Sequence, residues 1–226
     1  MTPRSLIAPA AVALALLLPA SASAVERTVT VNGSATQKVP NDTAKLGFSV
    51  SEERRSRQAA LRVVAVKLRA VIAAVQATPG VGTGDVTTGA ISVRKVTRDE
   101  HTIFRASEGV GVILHEPQRA GELVNAAVAA GATGSRGPTF FAGNPEAAYN
   151  NTLLAAFDQA RSKASALATR AGATLGPALT IEESTEAVPV EGRASPKGAA
   201  DAAPAPPAKP GASTVTASVR VVFALE

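Results

Sequence analysis

Two histidines, one glycine run and a few clustered carboxylates are the groups in this 226-residue chain that could take part in chemistry. His115 precedes Glu116, a start that on a helix could become a zinc-binding HExxH. Pro117 follows at once, however, and neither His115 nor His101 has a second histidine or a thiolate at ligand spacing. A hydrolytic relay could be assembled on paper from Ser135, His115 and Asp42, but no GxSxG elbow surrounds the serine. Gly80-Val81-Gly82-Thr83-Gly84 offers the amides of a phosphate loop in the wrong order: it follows a helical pattern and opens a strand, whereas a dinucleotide fingerprint does the reverse. Glu182, Glu183 and Glu186 would need an enclosed cleft to act as paired acids, and their position beside a proline-rich stretch reads as a solvated edge. With no cysteine in the chain, thiol nucleophiles, iron–sulfur clusters and thiolate zinc sites are excluded. No catalytic residue, metal site or cofactor is therefore expected. An unrecognised hydrolase is the remaining enzymatic alternative.

One constellation points to binding. Arg55, Arg62 and Arg69 recur every seven residues, and Gln76 continues the row, which places them on one face of a helix. Such a row is either a solvated stripe or a docking face for polyanions or a partner subunit. The net charge is +5, and the pI near 10 passes the level that suggests nucleic-acid binding. Aromatic residues make up only 3% of the chain and tryptophan is absent, so platforms for base stacking are scarce and nucleic acid is not the expected partner. Acidic polymers of the cell envelope, or lipid headgroups, suit an exported basic protein better.

Export is read from the first residues. Arg4 precedes the apolar run LIAPAAVALALLLPA and then Ala22-Ser23-Ala24, the pattern of a secretory signal peptide over residues 1–24. The run is shorter than the roughly 20 residues a membrane span needs, and Pro9 and Pro19 interrupt it. The expected mature chain, Val25 to Glu226, is periplasmic or extracellular and carries no transmembrane span. It is long enough to bury roughly 70% of its unfolded surface, so a core without disulfides can hold it.

The elements that must position any site follow from periodicity. Residues alternate from Thr28 to Thr36 and from Thr43 to Ser51 about the turn Pro40-Asn41-Asp42, which predicts two strands and gives Asp42 a turning or capping role. Leu61, Val64, Ala65, Leu68, Val71, Ile72 and Val75 then keep helical spacing, with a start near Ser51 to Arg54 and a stop at Thr78-Pro79-Gly80. Strands are expected over Asp85 to Val96 and Ile103 to Leu114, a short helix over Pro117 to Ala130 and a strand over Ser135 to Ala142. A second long helix covers Pro145 to Gly172, rich in alanine and so suited to close approach. The strands Ala178 to Glu183 and STVTASVRVVFAL complete the chain, separated by a flexible Pro/Ala-rich loop over 185–212.

The order ββαββαβαββ predicts an α+β fold with mainly antiparallel sheets packed against two long helices. Two lobes are expected within the domain 25–226. The outer lobe comprises 25–80 plus 145–226, and the inserted lobe 85–142.

Several local patterns occur in an order that resembles the SIMPL domain family of exported bacterial proteins. They are Val31-Asn32-Gly33-Ser34-Ala35, the turn Pro40-Asn41-Asp42-Thr43-Ala44, Asp85-Val86-Thr87-Thr88, Ala126 to Gly131 ahead of Phe140-Phe141, AFDQARSKASALATRAGATLG and the closing TASVRVVFAL. Two positions depart from the family pattern as we know it: Asn41 intervenes between Pro40 and Asp42, and Phe104 stands where tyrosine is common. The resemblance implies an exported protein, a large ring-like homo-oligomer in some members and a link to oxidative-stress tolerance in others. It brings no established catalytic residues. A non-enzymatic envelope protein that acts by self-assembly or partner binding is the expected function, with a polyanion-binding module as the alternative.

Overall fold

The computed structural model describes residues 26–98, 101–184 and 209–226. The expected signal peptide and most of the expected loop, 185–208, lie outside the described residues. The fold is mixed α+β, built from two antiparallel sheets and three helices among the described residues.

The first sheet joins β1 (Thr28–Pro40), β8 (Ala212–Leu225) and β7 (Leu175–Glu183) in the order β1-β8-β7. β1 and β8 pair without interruption from Thr28↔Ala224 to Pro40↔Ala212. One face, carrying Val31, Gly33, Val219, Val221 and Phe223, lies beneath α3 (Pro145–Arg170). α3 starts at Asn144, whose side chain accepts the Ala147 amide at 3.0 Å, with Pro145 in the first turn where its missing donor costs nothing. Its buried positions are Ala148, Thr152, Ala156, Ala160, Ala164 and Ala168, a ridge at four-residue spacing made almost wholly of methyl groups. The helix therefore sinks onto β1. A Cβ at Gly33 would stand 2.0 Å from the Ala156 carbonyl oxygen and 2.8 Å from the Ala160 methyl, so only glycine fits.

The second sheet holds β2 (Thr43–Arg54) between β5 (His101–Leu114) and β6 (Gly134–Phe141), with β3 (Val86–Thr88) and β4 (Ser92–Arg98) both on the far side of β5. α1 (Arg57–Gln76) and α2 (Ala120–Ala129) cover one face. Leu46, Phe48, Val50, Val110, Val112 and Leu114 from the strands meet Val64, Leu68, Val71 and Val75 of α1 and Leu123 of α2 in the main core. At ~25 cal/mol per Å² of apolar surface removed from water, each such side chain contributes about 2 kcal/mol before the entropic cost of ordering it.

Four expectations change. Three helices, not two long ones alone, cover the sheets, since α2 has its own buried face of Ala120, Leu123 and Ala127. The expected strand Asp85 to Val96 is two strands, because the chain leaves the ladder around Gly89 and β4 resumes against β5 one residue out of the register of β3; the element order is accordingly ββαβββαβαββ. α1 begins at Ser56, whose hydroxyl accepts the Ala59 amide at 3.2 Å, and not near Ser51: Ser51 to Arg54 continue β2 opposite Ser107 to Phe104.

The two lobes also regroup. β2 and α1 do not join β1, β7, β8 and α3 in an outer lobe 25–80 plus 145–226; they complete the sheet of the segment 85–142. The physical reason is core size. Branched and aromatic side chains of β2 and α1 match those of β5, whereas α3 offers alanine.

The chain crosses between the sheets at the Pro40-Asn41-Asp42 corner. Asn41 is buried and satisfied. Its amide donates to the Gly211 carbonyl at 3.1 Å and its Nδ2 to the Pro210 carbonyl at 2.8 Å, while its Oδ1 accepts from the Ser213 hydroxyl at 2.6 Å. Asp42 Oδ1 accepts the Gly143 amide at 2.6 Å and the Thr43 hydroxyl at 3.1 Å, tying together the two places where the chain passes from one sheet to the other.

Candidate functional site

The catalytic groups considered from sequence are not brought together. Ser135 lies opposite Phe48, whereas His115 follows Leu114, which lies opposite Ala44, four residues away along β2 and so roughly 14 Å. Asp42 is committed to the Gly143 amide. His115 instead faces Asp85, Nε2 to Oδ2 at 3.1 Å, and is 57% exposed. The same Asp85 oxygen accepts the Gly82 amide at 2.7 Å, and His115 donates its own amide to the Gly80 carbonyl at 2.8 Å. The glycine run is thus a turn closed by its own aspartate. Glu183 accepts the Tyr149 hydroxyl at 2.6 Å, which raises the tyrosine pKa, and Glu182 lies opposite Arg220 on the exposed β7. Glu186 is outside the described residues. Among the described residues no group of three His, Asp or Glu side chains could hold a metal ion.

The arginine row divides. Arg62 and Arg69 are exposed on the outer face of α1, with Val66, 59% exposed, between them. Arg55 lies ahead of Ser56, the N-terminal cap, and so outside the helix whose periodicity suggested it.

One opening is on the face of the second sheet turned away from α1. A trough of about 510 Å³ lies there, lined by Gly47, Ser49, Thr87, Gly109, Gly111 and Arg136 among others. Alternation explains it. Even-numbered residues of β2 and β5 point into the core, so the odd-numbered Lys45, Gly47, Ser49 and Ser51 and Ser107, Gly109, Gly111 and Ile113 form the open face. Gly47 lies directly opposite Gly111, and Ser49 stands between Gly109 and Gly134. A second trough, of about 570 Å³, lies over the first sheet and is lined by residues of both signs, Lys163 and Arg220 with Glu182 and Glu183.

One ion pair joins the second sheet to α1, and others tie strand to strand and brace the start of α2. Glu52, on the core side of β2, receives Lys67 of α1 and Arg54. The Lys67 hydrogen bond is the largest influence on its carboxyl and holds its pKa below the ordinary carboxylate value against the opposing effect of burial; the positive charges of Lys67 and Arg54 add to the lowering. On the open face Arg105 Nε donates to Glu53 at 2.7 Å. Arg119 bridges Glu116 and Glu122 at 2.6 and 3.0 Å.

A family model, SIMPL, described as a protein of unknown function (DUF541), matches residues 29–223. The chain belongs to the SIMPL family. The matched region runs from Val29 in β1 to Phe223 in β8, so it takes in nearly all of both sheets, the three described helices and both troughs. Comparison with curated proteins gives no match. For this SIMPL protein, the open face of the second sheet is what sequence reading overlooked. The signal was present: Lys-x-Gly-x-Ser-x-Ser from 45 to 51 and Gly-x-Gly at 109–111 put small and polar residues on one side of two otherwise apolar strands.

No described helix is long and apolar enough to cross a membrane.

Proposed function

We propose that this SIMPL protein is an exported, non-catalytic component of the cell envelope that works by assembling with further copies of itself through β7. The observation that carries the reading is the state of that strand. β7 is the edge of its sheet, its residues from Pro177 to Glu183 are exposed, and Leu179 and Ile181 remain 45% and 58% open to solvent. An exposed edge with apolar side chains is a template for pairing with another chain. Two copies of β7 run antiparallel about Thr180 would set Leu179 opposite Ile181 in both directions, and Glu182 and Glu183 opposite Ala178 and Pro177, which keeps like charges apart. Export rests on Arg4, the apolar run and Ala22-Ser23-Ala24. A role in oxidative-stress tolerance rests on family resemblance alone.

Light scattering on a sizing column at low and high salt tests the assembly. The chain from Val25 to Glu226 is expected to run as a multiple of the protomer mass at both, and Ile181→Lys as a single protomer. A wild-type monomer at both salt concentrations would overturn the assembly reading. Turnover of ester, phosphate or glycoside substrates, abolished by Asp42→Ala, would overturn the non-catalytic one.

A further inference from the structure

The glycines of the second sheet raise a question that the fold itself does not answer. Glycine in the interior of a strand weakens it and marks a bulge, a bend or the close approach of a ligand or another backbone. Gly47 adjoins the register shift between β2 and β6, where a bulge accounts for it. Gly109 has no such reason: it sits in the regular β2–β5 ladder without a positive φ, and a Cβ there would meet nothing nearer than the Phe48 carbonyl oxygen at 3.7 Å. Its absent side chain therefore serves the space above the sheet and not the packing within it.

That space is bordered by positive charge. Arg136 lines the trough, while Lys45 on β2 and Arg94 on β4 lie beyond it on the same face of the sheet; all three are exposed, and none forms an ion pair among the described residues. Among the described residues the two carboxylates on this face are engaged, Glu53 by Arg105 and Asp85 by His115. Arg94 lies opposite Arg105, which faces Glu53, eight residues along β2 from Lys45; the cations thus span about 27 Å of strand. Cations spread over that length of one sheet face suit an extended polyanion, not a small ion.

The lining decides among polyanions. Ser49 and Thr87 in the trough, with Ser51 and Ser107 beyond it on the same face, offer hydroxyls that both donate and accept, as sugar hydroxyls require. Among the described residues no exposed aromatic ring on this face offers a nucleobase a platform. The central strands β2 and β5 are paired on both sides, so a peptide finds no strand edge to extend there and no apolar pocket for its side chains. We infer that this face binds an acidic polysaccharide, laid along the sheet and over the trough with its carboxylates on Arg136, Lys45 and Arg94 and its rings against the bare glycine backbone. The inference does not depend on assembly through β7, which lies in the other sheet.

The test is binding of polygalacturonate by the chain from Val25 to Glu226, by calorimetry at about 50 mM and about 300 mM salt, since phosphate or carboxylate contacts weaken steeply with salt. Binding at low salt that falls at least tenfold at high salt is expected. Arg94→Glu with Arg136→Glu should lose at least tenfold, whereas Arg62→Glu with Arg69→Glu on the outer face of α1 should change binding less than twofold. Gly109→Thr separates site from scaffold: a β-branched residue suits the strand, so the melting temperature should hold or rise while binding is lost. No binding by the wild type, loss through the α1 variant in place of the sheet variant, retention of full affinity by Gly109→Thr, or equal affinity for poly-glutamate would each overturn the inference.

Discussion

The two sheets share the same antiparallel ladder and differ in how a helix is laid on them. α3 presents Ala156, Ala160 and Ala164 to β1 and β8, and its backbone comes down onto Gly33. α1 presents Val64, Leu68, Val71 and Val75 to β2 and β5 and is held off by the size of those side chains. Their polar supports differ as well. Across the first sheet Gln159 accepts the Ser34 amide at 2.8 Å and Lys163 donates to the Asn32 carbonyl at 3.0 Å, bonds that involve no titrating carboxylate. Across the second, Lys67 reaches Glu52. The first interface gains from close fit and the second from apolar volume, so they should fail under different perturbations.

The largest effect should come from adding one carbon where there is no room. Gly33→Ala forces α3 off β1 and should lower stability by about 3 kcal/mol, the upper part of the range for overpacking, as read from urea unfolding. The same substitution at Gly109 should be close to neutral, because its Cβ meets nothing nearer than 3.7 Å. If the two cost the same, close approach does not distinguish the sheets.

Removing volume should hurt the second sheet next. Val71→Ala leaves a void beneath α1 and should cost about 2 kcal/mol. Ala164→Gly under α3 removes one methyl and should cost about 1 kcal/mol, mostly through helix propensity. Equal losses would mean that α3 also depends on apolar volume.

The smallest effect concerns pH. Glu52 has its pKa lowered in the folded chain, so its contribution is present above the ordinary carboxylate range and is lost as pH falls through the folded value. Glu52→Gln should therefore reduce stability near neutrality and flatten its decline in acid. Thermal melts from neutral pH to about pH 3 check this, and an unchanged acid limb in the variant would show that the Lys67 pair does not support α1.

Periodicity carried much of the architecture. Alternation from Thr28 and the helical spacing of Leu61 to Val75 reappear as elements with the expected buried face, whereas the last helix forms as expected but buries Ala156, Ala160, Ala164 and Ala168 and leaves Leu167, expected inside, 53% exposed. What failed did so for local reasons. Ser51 to Arg54 look like a helix start, yet a long partner, β5, keeps them in the ladder, and Ser56 provides the cap instead. The strand from Asp85 breaks because the register shifts around Gly89, a change that hydrophobicity does not record. Asn41 looked like turn chemistry and is also a buried tie to Pro210 and Ser213, 169 and 172 residues away in sequence.

The sequence by itself determined most of the strands and helices and the buried faces of β1, β2 and α1, because period and side-chain size are local properties of the chain. It also determined that α3 would be a close-packing helix. Only the tertiary structure decided that β2 leaves β1 at Asn41 to lie between β5 and β6, since alternation marks a strand's faces and not its neighbours. That pairing set Gly47 opposite Gly111 and Arg136 beside Gly47, and so made an open, cation-bordered face from residues separated by up to 89 positions in the chain.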